Sequence, residues 1–180
     1  MKRADLSLLR FMRTRGHAPV AERAAQLVAG SGENGYLWFG IGLAGAAADP
    51  PRRRQWLAAS LVGPAAIGLN FGIKLLVKRP RPQLEGLPPL GGAPSSLSFP
   101  SAHATASFAA ATAMARIEPR VRPALFGTAT LMALTRPYLG MHYPSDVLAG
   151  AALGSVLGAV VPLPRPDRSG AGPLAGPTCA

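Results

Sequence analysis

Two histidines, His103 and His142, and a carboxylate four residues past the second, Asp146, are the side chains here best suited to covalent or acid–base chemistry. Three cations stand near them in the chain: Lys74, Arg81 and Arg136. A phosphate group spreads negative charge over several oxygens, and fixed cations with N–H donors are what hold it. An imidazole can attack phosphorus or move a proton, and a carboxylate can orient it. Pro100-Ser101-Ala102-His103 adds a helix start, with Ser101 as a candidate N-cap. A helix N-terminus presents free backbone N–H groups and a favourable dipole to an anion. Facing one space, these groups would make a phosphate-transfer site. The histidines and Asp146 could also be read as metal ligands, but clustered Arg and Lys would oppose a dication.

Whether they do face one space depends on the elements that carry them. The chain has 180 residues, 48% of them apolar and only 15% charged, with 19 Lys and Arg against 8 Asp and Glu. Its mean hydropathy is +0.21 and its formal net charge +11. Soluble domains carry about 25% charged residues, so this composition points to a small polytopic membrane protein. Intrinsic disorder is excluded by the apolar content, and a disulfide scaffold by the single cysteine, Cys179. Nucleic-acid binding fits the charge alone, but aromatics are 6% and no amphipathic basic face gathers the cations.

Removing every Asp, Glu, Lys and Arg leaves five apolar windows. Residues 34–48, 55–73, 123–135 and 147–164 are free of charge. The gap 86–115 splits into a Pro/Gly/Ser-rich half up to Ser98 and an apolar helical half from Ala102. A hydrocarbon span takes about 20 residues, which two windows meet directly. The shorter ones could be buried helices of a soluble all-α bundle. None shows the polar stripe such a helix needs, and flanking arginines can snorkel to lengthen a span. The expected fold is therefore all-α: a polytopic membrane bundle of five transmembrane helices plus an N-terminal amphipathic helix. Gly150, Gly154 and Gly158 form a small-xxx-small ridge on the last helix, a packing feature.

Ahead of the first window, Asp5 to Arg15 alternates Leu6, Leu9 and Met12 with Arg10 and Arg13, as an interfacial helix or a solvated basic terminus would. The expected organisation is a basic interfacial segment at 1–33, a membrane domain at 34–164 and a disordered Pro/Gly-rich tail at 165–180. With five spans, the connections 74–100 and 136–146 lie on the same side of the membrane. They and the helix starts beside them hold all six of the residues named first. Ionisable groups at such depths are functional candidates by default. Lys78 and Arg79 read either as headgroup contacts or as interfacial anchors, and the loop Gln83–Ser98 as a lid or a plain connector. Apart from Lys74, Arg81 and Arg136, eight basic residues fall on each side, so the positive-inside rule favours neither orientation.

Lys74 followed by Arg81-Pro82, then Pro100-Ser101-Ala102-His103, then Arg136, His142 and Asp146 resemble, in order and spacing, the three-part signature of the type 2 phosphatidic acid phosphatase superfamily. Two positions depart from it mildly: Ala102 replaces the usual Gly and Thr135 the usual Ser. The resemblance runs from about Trp38 to Val161. Leu97-Ser98-Phe99 and the short chain resemble, more weakly, actinobacterial members that dephosphorylate decaprenylphosphoryl phosphoribose. What the resemblance implies is two-step phosphoryl transfer without metal or other cofactor. His142 would be the nucleophile, Asp146 its orienting acid and His103 the proton donor and later base. Lys74, Arg81 and Arg136, the Ser101 hydroxyl and the Ala102 N–H would bind phosphate. The implied substrate is a lipid or polyprenyl phosphate in the cell membrane. The alternatives are a non-catalytic lipid-phosphate binder or transporter, which would need neither histidine, and a vanadate-dependent haloperoxidase, a larger soluble protein with a similar constellation.

Overall fold

A computed structural model describes residues 2–92 and 95–166 of the chain. Most of the expected tail, from residue 167 onward, lies outside the described residues. The described residues form eight α-helices: α1 Lys2–Thr14, α2 Pro19–Ser31, α3 Tyr36–Ala48, α4 Arg53–Ser60, α5 Val62–Val77, α6 Ala102–Ile117, α7 Arg122–Tyr138 and α8 Pro144–Val160. Among the described residues there is no strand, only an isolated bridge between Pro80 and Leu97. Each of the five charge-free windows carries a helix. The second is a run from Pro50 to Val77, interrupted at Leu61, and among the described residues it alone is long and apolar enough to cross a membrane. The other four helices, α3, α6, α7 and α8, have 13 to 17 residues.

Helix α6 is the axis of the bundle and packs against α3, α4, α5, α7 and α8. Its sequence is made for that position: Ala104, Ala106, Ala109, Ala110, Ala111 and Ala113 are all buried and let neighbouring backbones come close. The tightest approach is to α8. A methyl on Gly150 would sit 2.6 Å from the Ser101 carbonyl oxygen. On Gly154 and Gly158 it would run into the carbonyls of Thr105 and Ala109. The glycine ridge read from the sequence thus has a partner, the backbone of α6. Trp38, fully buried, ties α3 to the same axis by donating from Nε1 to Ser107 Oγ at 2.9 Å.

The helix ends sort into two groups. At one end Arg52 bonds Glu118, and Arg116 caps α8 through the Gly158 and Val161 carbonyls. At the other end meet the C-termini of α5 and α7 and the N-termini of α6 and α8. The first two helices pack at this second end, against α7 and α8. The buried face of α1 is Asp5, Leu9 and Arg13, while Leu8 and Phe11 point outward. It is therefore more than an interfacial strip: two of its charges turn toward protein.

Candidate active site

Each candidate residue sits where a helix starts or stops. Lys74 lies in the last turn of α5, which ends one residue before Lys78, itself in the left-handed conformation with φ 53°. The N–H of Lys78 closes the helix on the Lys74 carbonyl, and Pro80 cannot extend it. Lys74 Nζ then donates to the Leu97 and Ser98 carbonyls, 3.2 Å each. Arg136 lies in the last turn of α7, which runs through Pro137 to Tyr138 instead of stopping at the proline. Asp146 is in the first turn of α8 and not its N-cap. Its Oδ2 accepts from the Tyr143 N–H at 3.0 Å.

Ser101 does stand at the N-cap position of α6, but its hydroxyl caps nothing: Oγ is fully buried with no partner. Its N–H donates to the Asp146 carbonyl at 3.0 Å, which couples the starts of α6 and α8.

A cavity of about 470 Å³ opens at this end. Lys74, Arg81, Ala102, His103, Arg136 and His142 all line it; Ser101, next to Ala102 in the chain, and Asp146, which faces His142, are fully buried. Arg81 is fixed by its own donations, Nε to the Ser95 carbonyl at 2.8 Å and Nη1 to the Met141 carbonyl at 2.7 Å. The same Nη1 lies 3.2 Å from His142 Nε2. His142 Nδ1 faces Asp146 Oδ2 at 3.5 Å, longer than a normal hydrogen bond, and has no closer partner. His103 Nε2 donates to the Ala29 carbonyl of α2 at 3.1 Å.

Buried polar atoms without partners gather here: Asn70 Oδ1, Ser101 Oγ, Arg136 Nε and His142 Nδ1. Such atoms are rare in folded proteins, and a cluster of them around one cavity marks a site shaped for a polar ligand. Burial, reinforced by Arg81, Arg136 and Lys74, pushes His142 down to about 4 against the opposing pull of Asp146. At neutral pH its imidazole is uncharged and carries a lone pair, the form a nucleophile needs.

Three features were not read from the sequence. Asn70 is completely buried and lines the cavity one turn before Lys74, donating to Thr105 Oγ1 at 2.9 Å. Its signal was present: a polar residue inside an apolar window, four positions from a cation and hence on the same helix face. Gly32, Glu33 and Asn34, between α2 and α3, border the mouth. Finally, Arg79 turns inward onto Asp5 and Asp146. The loop Gln83–Ser98 is anchored from several sides. Arg13 Nη2 donates to the Pro88 carbonyl at 2.7 Å and Gln26 Nε2 to that of Leu90 at 2.8 Å. The Leu90 N–H meets the Leu139 carbonyl at 2.9 Å, and Gly92 and Ser95 border the cavity.

The fold and the site define a class. Residues 55–169 match the PAP2 superfamily, and the chain belongs to it. Over 130 residues, 72% of either chain, it is 45% identical to the decaprenylphosphoryl-5-phosphoribose phosphatase of Mycobacterium tuberculosis. Two crystal structures share the fold at a TM-score of 0.69. One is Aquifex aeolicus LpxE, 27% identical, with 85% of this chain and 91% of that one covered. The other is a transmembrane PAP2-type phosphatidylglycerolphosphate phosphatase from Bacillus subtilis, 25% identical, with 87% and 82% covered.

Proposed function

We propose that this chain is an integral membrane phosphatase that hydrolyses a phosphomonoester or diphosphate of a lipid or polyprenyl substrate through a phosphohistidine intermediate. The observation that carries the reading is the cavity. Three cations and two histidines line it, and so do Ile67 and Phe71 of α5. A phosphate headgroup suits the first and a hydrocarbon tail the second. The names of the relatives support the substrate class, since two of them are phosphatases of a prenyl-linked and a glycerolipid phosphate.

In the first step His142 Nε2 attacks phosphorus, the bond to the leaving oxygen breaks, and His103 gives that oxygen a proton. Asp146 keeps the His142 proton on Nδ1, so that Nε2 carries the lone pair. Lys74, Arg81, Arg136, the Ser101 hydroxyl and the Ala102 N–H stabilise the equatorial oxygens. In the second step His103 takes a proton from water, whose oxygen attacks phosphorus and breaks the P–N bond. Orthophosphate and free His142 result. The positive charge this chemistry needs comes from side chains, so no metal enters the steps.

The reading includes five membrane spans: α3, α4 with α5, α6, α7 and α8, inside a membrane domain at 34–164. Large apolar side chains exposed around the bundle, among them Leu69, Leu76, Leu131, Leu148, Val156 and Val160, favour a hydrocarbon surround. The test is phosphate release from a panel of lipid and prenyl phosphates by purified protein in detergent, with and without EDTA. The wild type is expected to turn over in chelator, to be blocked by orthovanadate and to yield an acid-labile phosphohistidine on rapid quench. His142→Ala should do none of these. Turnover lost in EDTA and restored by metal would overturn metal independence, and binding without hydrolysis would make the chain a lipid-phosphate binder.

A further inference from the structure

Arg79 holds two buried carboxylates at once. Its Nη1 donates to Asp146 Oδ1 at 2.7 Å and to Ser145 Oγ at 2.8 Å, while Nη2 donates to Asp5 Oδ2 at 2.8 Å. Its guanidinium carbon lies 3.9 Å above the centre of the Tyr143 ring. Asp5, in the first turn of α1, takes the remaining bonds. Oδ1 accepts from the Ser145 N–H at 3.0 Å, and Oδ2 also accepts the Ser145 hydroxyl. Asp146 is thereby held at both oxygens, Oδ1 by Arg79 and Oδ2 by the Tyr143 N–H. A carboxylate fixed at both oxygens cannot swing away from the imidazole it faces, and the planar fork of Arg suits that bridging where Lys would not.

The same helix reaches the other side of His142. Two turns on from Asp5, Arg13 is buried against Gly140, where a methyl would come within 2.9 Å of its Nε, and bonds the Pro88 carbonyl. The connection from Gly140 to Ser145, which carries His142, is therefore bracketed by Arg13 at its start and Asp5 at its end. Burial works against the Asp5 charge, but the bonds from Ser145 and Arg79 outweigh it and hold its carboxyl below the usual range. Asp5 therefore stays ionised at neutral pH and keeps Arg79 in place.

We infer that α1 is a brace for the nucleophile loop, with Asp5 and Arg79 as positioning residues that act on the reaction through Asp146. This rests on the reading of His142 and Asp146 as the nucleophile and its orienting acid. Neither Asp5 nor Arg79 lines the cavity, so their loss should leave substrate binding by Lys74, Arg81 and Arg136 intact. It should slow the attack step, because a misplacement of about 1 Å at a reacting group can cost roughly a hundredfold.

The test is rapid-quench kinetics on the purified full chain with radiolabelled farnesyl monophosphate, following phosphohistidine. Burst amplitude counts folded sites, and the burst rate constant reports how well each site attacks. Asp5→Asn and Arg79→Lys are expected to lower that rate constant roughly tenfold to a hundredfold. Amplitude and KM should stay near the wild-type values. Arg79→Gln should be more severe, and where it fails to fold, the two milder variants carry the test. Adding Asp5→Asn to Arg79→Lys should cost less than the product of the single effects, since both act through one carboxylate. Wild-type rate constants in both milder variants, or a drop in amplitude alone, would overturn the brace and leave the phosphohistidine reading standing. A burst that survives in His142→Ala would overturn that reading and the brace with it.

Discussion

His103 and His142 face one cavity but meet different parts of the chain: His103 bonds a carbonyl of α2, and His142 faces the acid of α8. Their proposed roles separate under a change of leaving group. General acid catalysis contributes about 10² to 10⁴ in rate, and most where the departing oxygen is a poor leaving group. His103→Ala should therefore lose far more on a prenyl monophosphate than on p-nitrophenyl phosphate when phosphoenzyme formation is followed directly. His142→Ala should be inactive on both, and equal losses in His103→Ala would remove it from the acid role. A second expectation concerns pH. In the unfolded chain His142 takes up a proton near its ordinary value of 6.5, whereas folded His142 refuses it until about 4. The unfolded state binds more protons across that window, so stability falls as pH drops from about 6.5 to about 4, by at most about 1.4 kcal/mol per pH unit. His142→Asn should flatten this part of the curve in thermal melts, and an unchanged slope would mean the imidazole is charged in the folded protein. Type and spacing put these residues forward as candidates, and the structure brings both histidines to one cavity. The unpaired Ser101 hydroxyl and the inward turn of Arg79 were not legible in the sequence, because both depend on which neighbours a side chain meets.

At the scale of the element, the contact between α6 and α8 sets where Asp146 stands relative to Ser101. Glycine spacing announced a close packing but could not say against what. The partner proved to be an alanine-rich helix whose carbonyls leave no room for a methyl. Gly154→Ala is expected to force the helices apart and cost about 1 to 3 kcal/mol, as overpacking does. Because the shift reaches Asp146 two turns away, turnover should fall together with the melting temperature. A variant with wild-type stability would show that the two helices can slide. The charge-free windows marked out the cores of α3 to α8 because charge is expensive wherever apolar surroundings continue. Helix α2 was missed for the converse reason. Pro19–Ser31 is of mixed composition, so no single window sets it apart, and its contribution to the site is a backbone carbonyl, which no side-chain pattern encodes.

For the whole molecule, the alternation of helices sends the two site-bearing connections to one end and Arg52 to Arg54 to the other. If five helices cross the membrane, cysteines placed at Gly91 and at Arg53, in a Cys179→Ser background, should react with an impermeant thiol reagent from opposite faces. Reaction from the same face would make the number of spans between them even. Counting spans gave this arrangement without any knowledge of packing, since parity survives errors in where each helix begins or ends. What counting could not give is the part played by the first 31 residues, whose two helices contact the site through Asp5, Arg13 and Ala29.

The cavity wall that joins cations to Ile67 and Phe71 has a consequence for what happens after hydrolysis. The two products of the proposed reaction would differ in solvent preference: a lipid, left as an alcohol or a monophosphate, and orthophosphate. A lining that offers both cations and apolar side chains would serve both until each departs into the phase that dissolves it. Partition between bilayer and water would then keep the reverse reaction rare, a directionality that belongs to the two phases, since a catalyst speeds both directions alike.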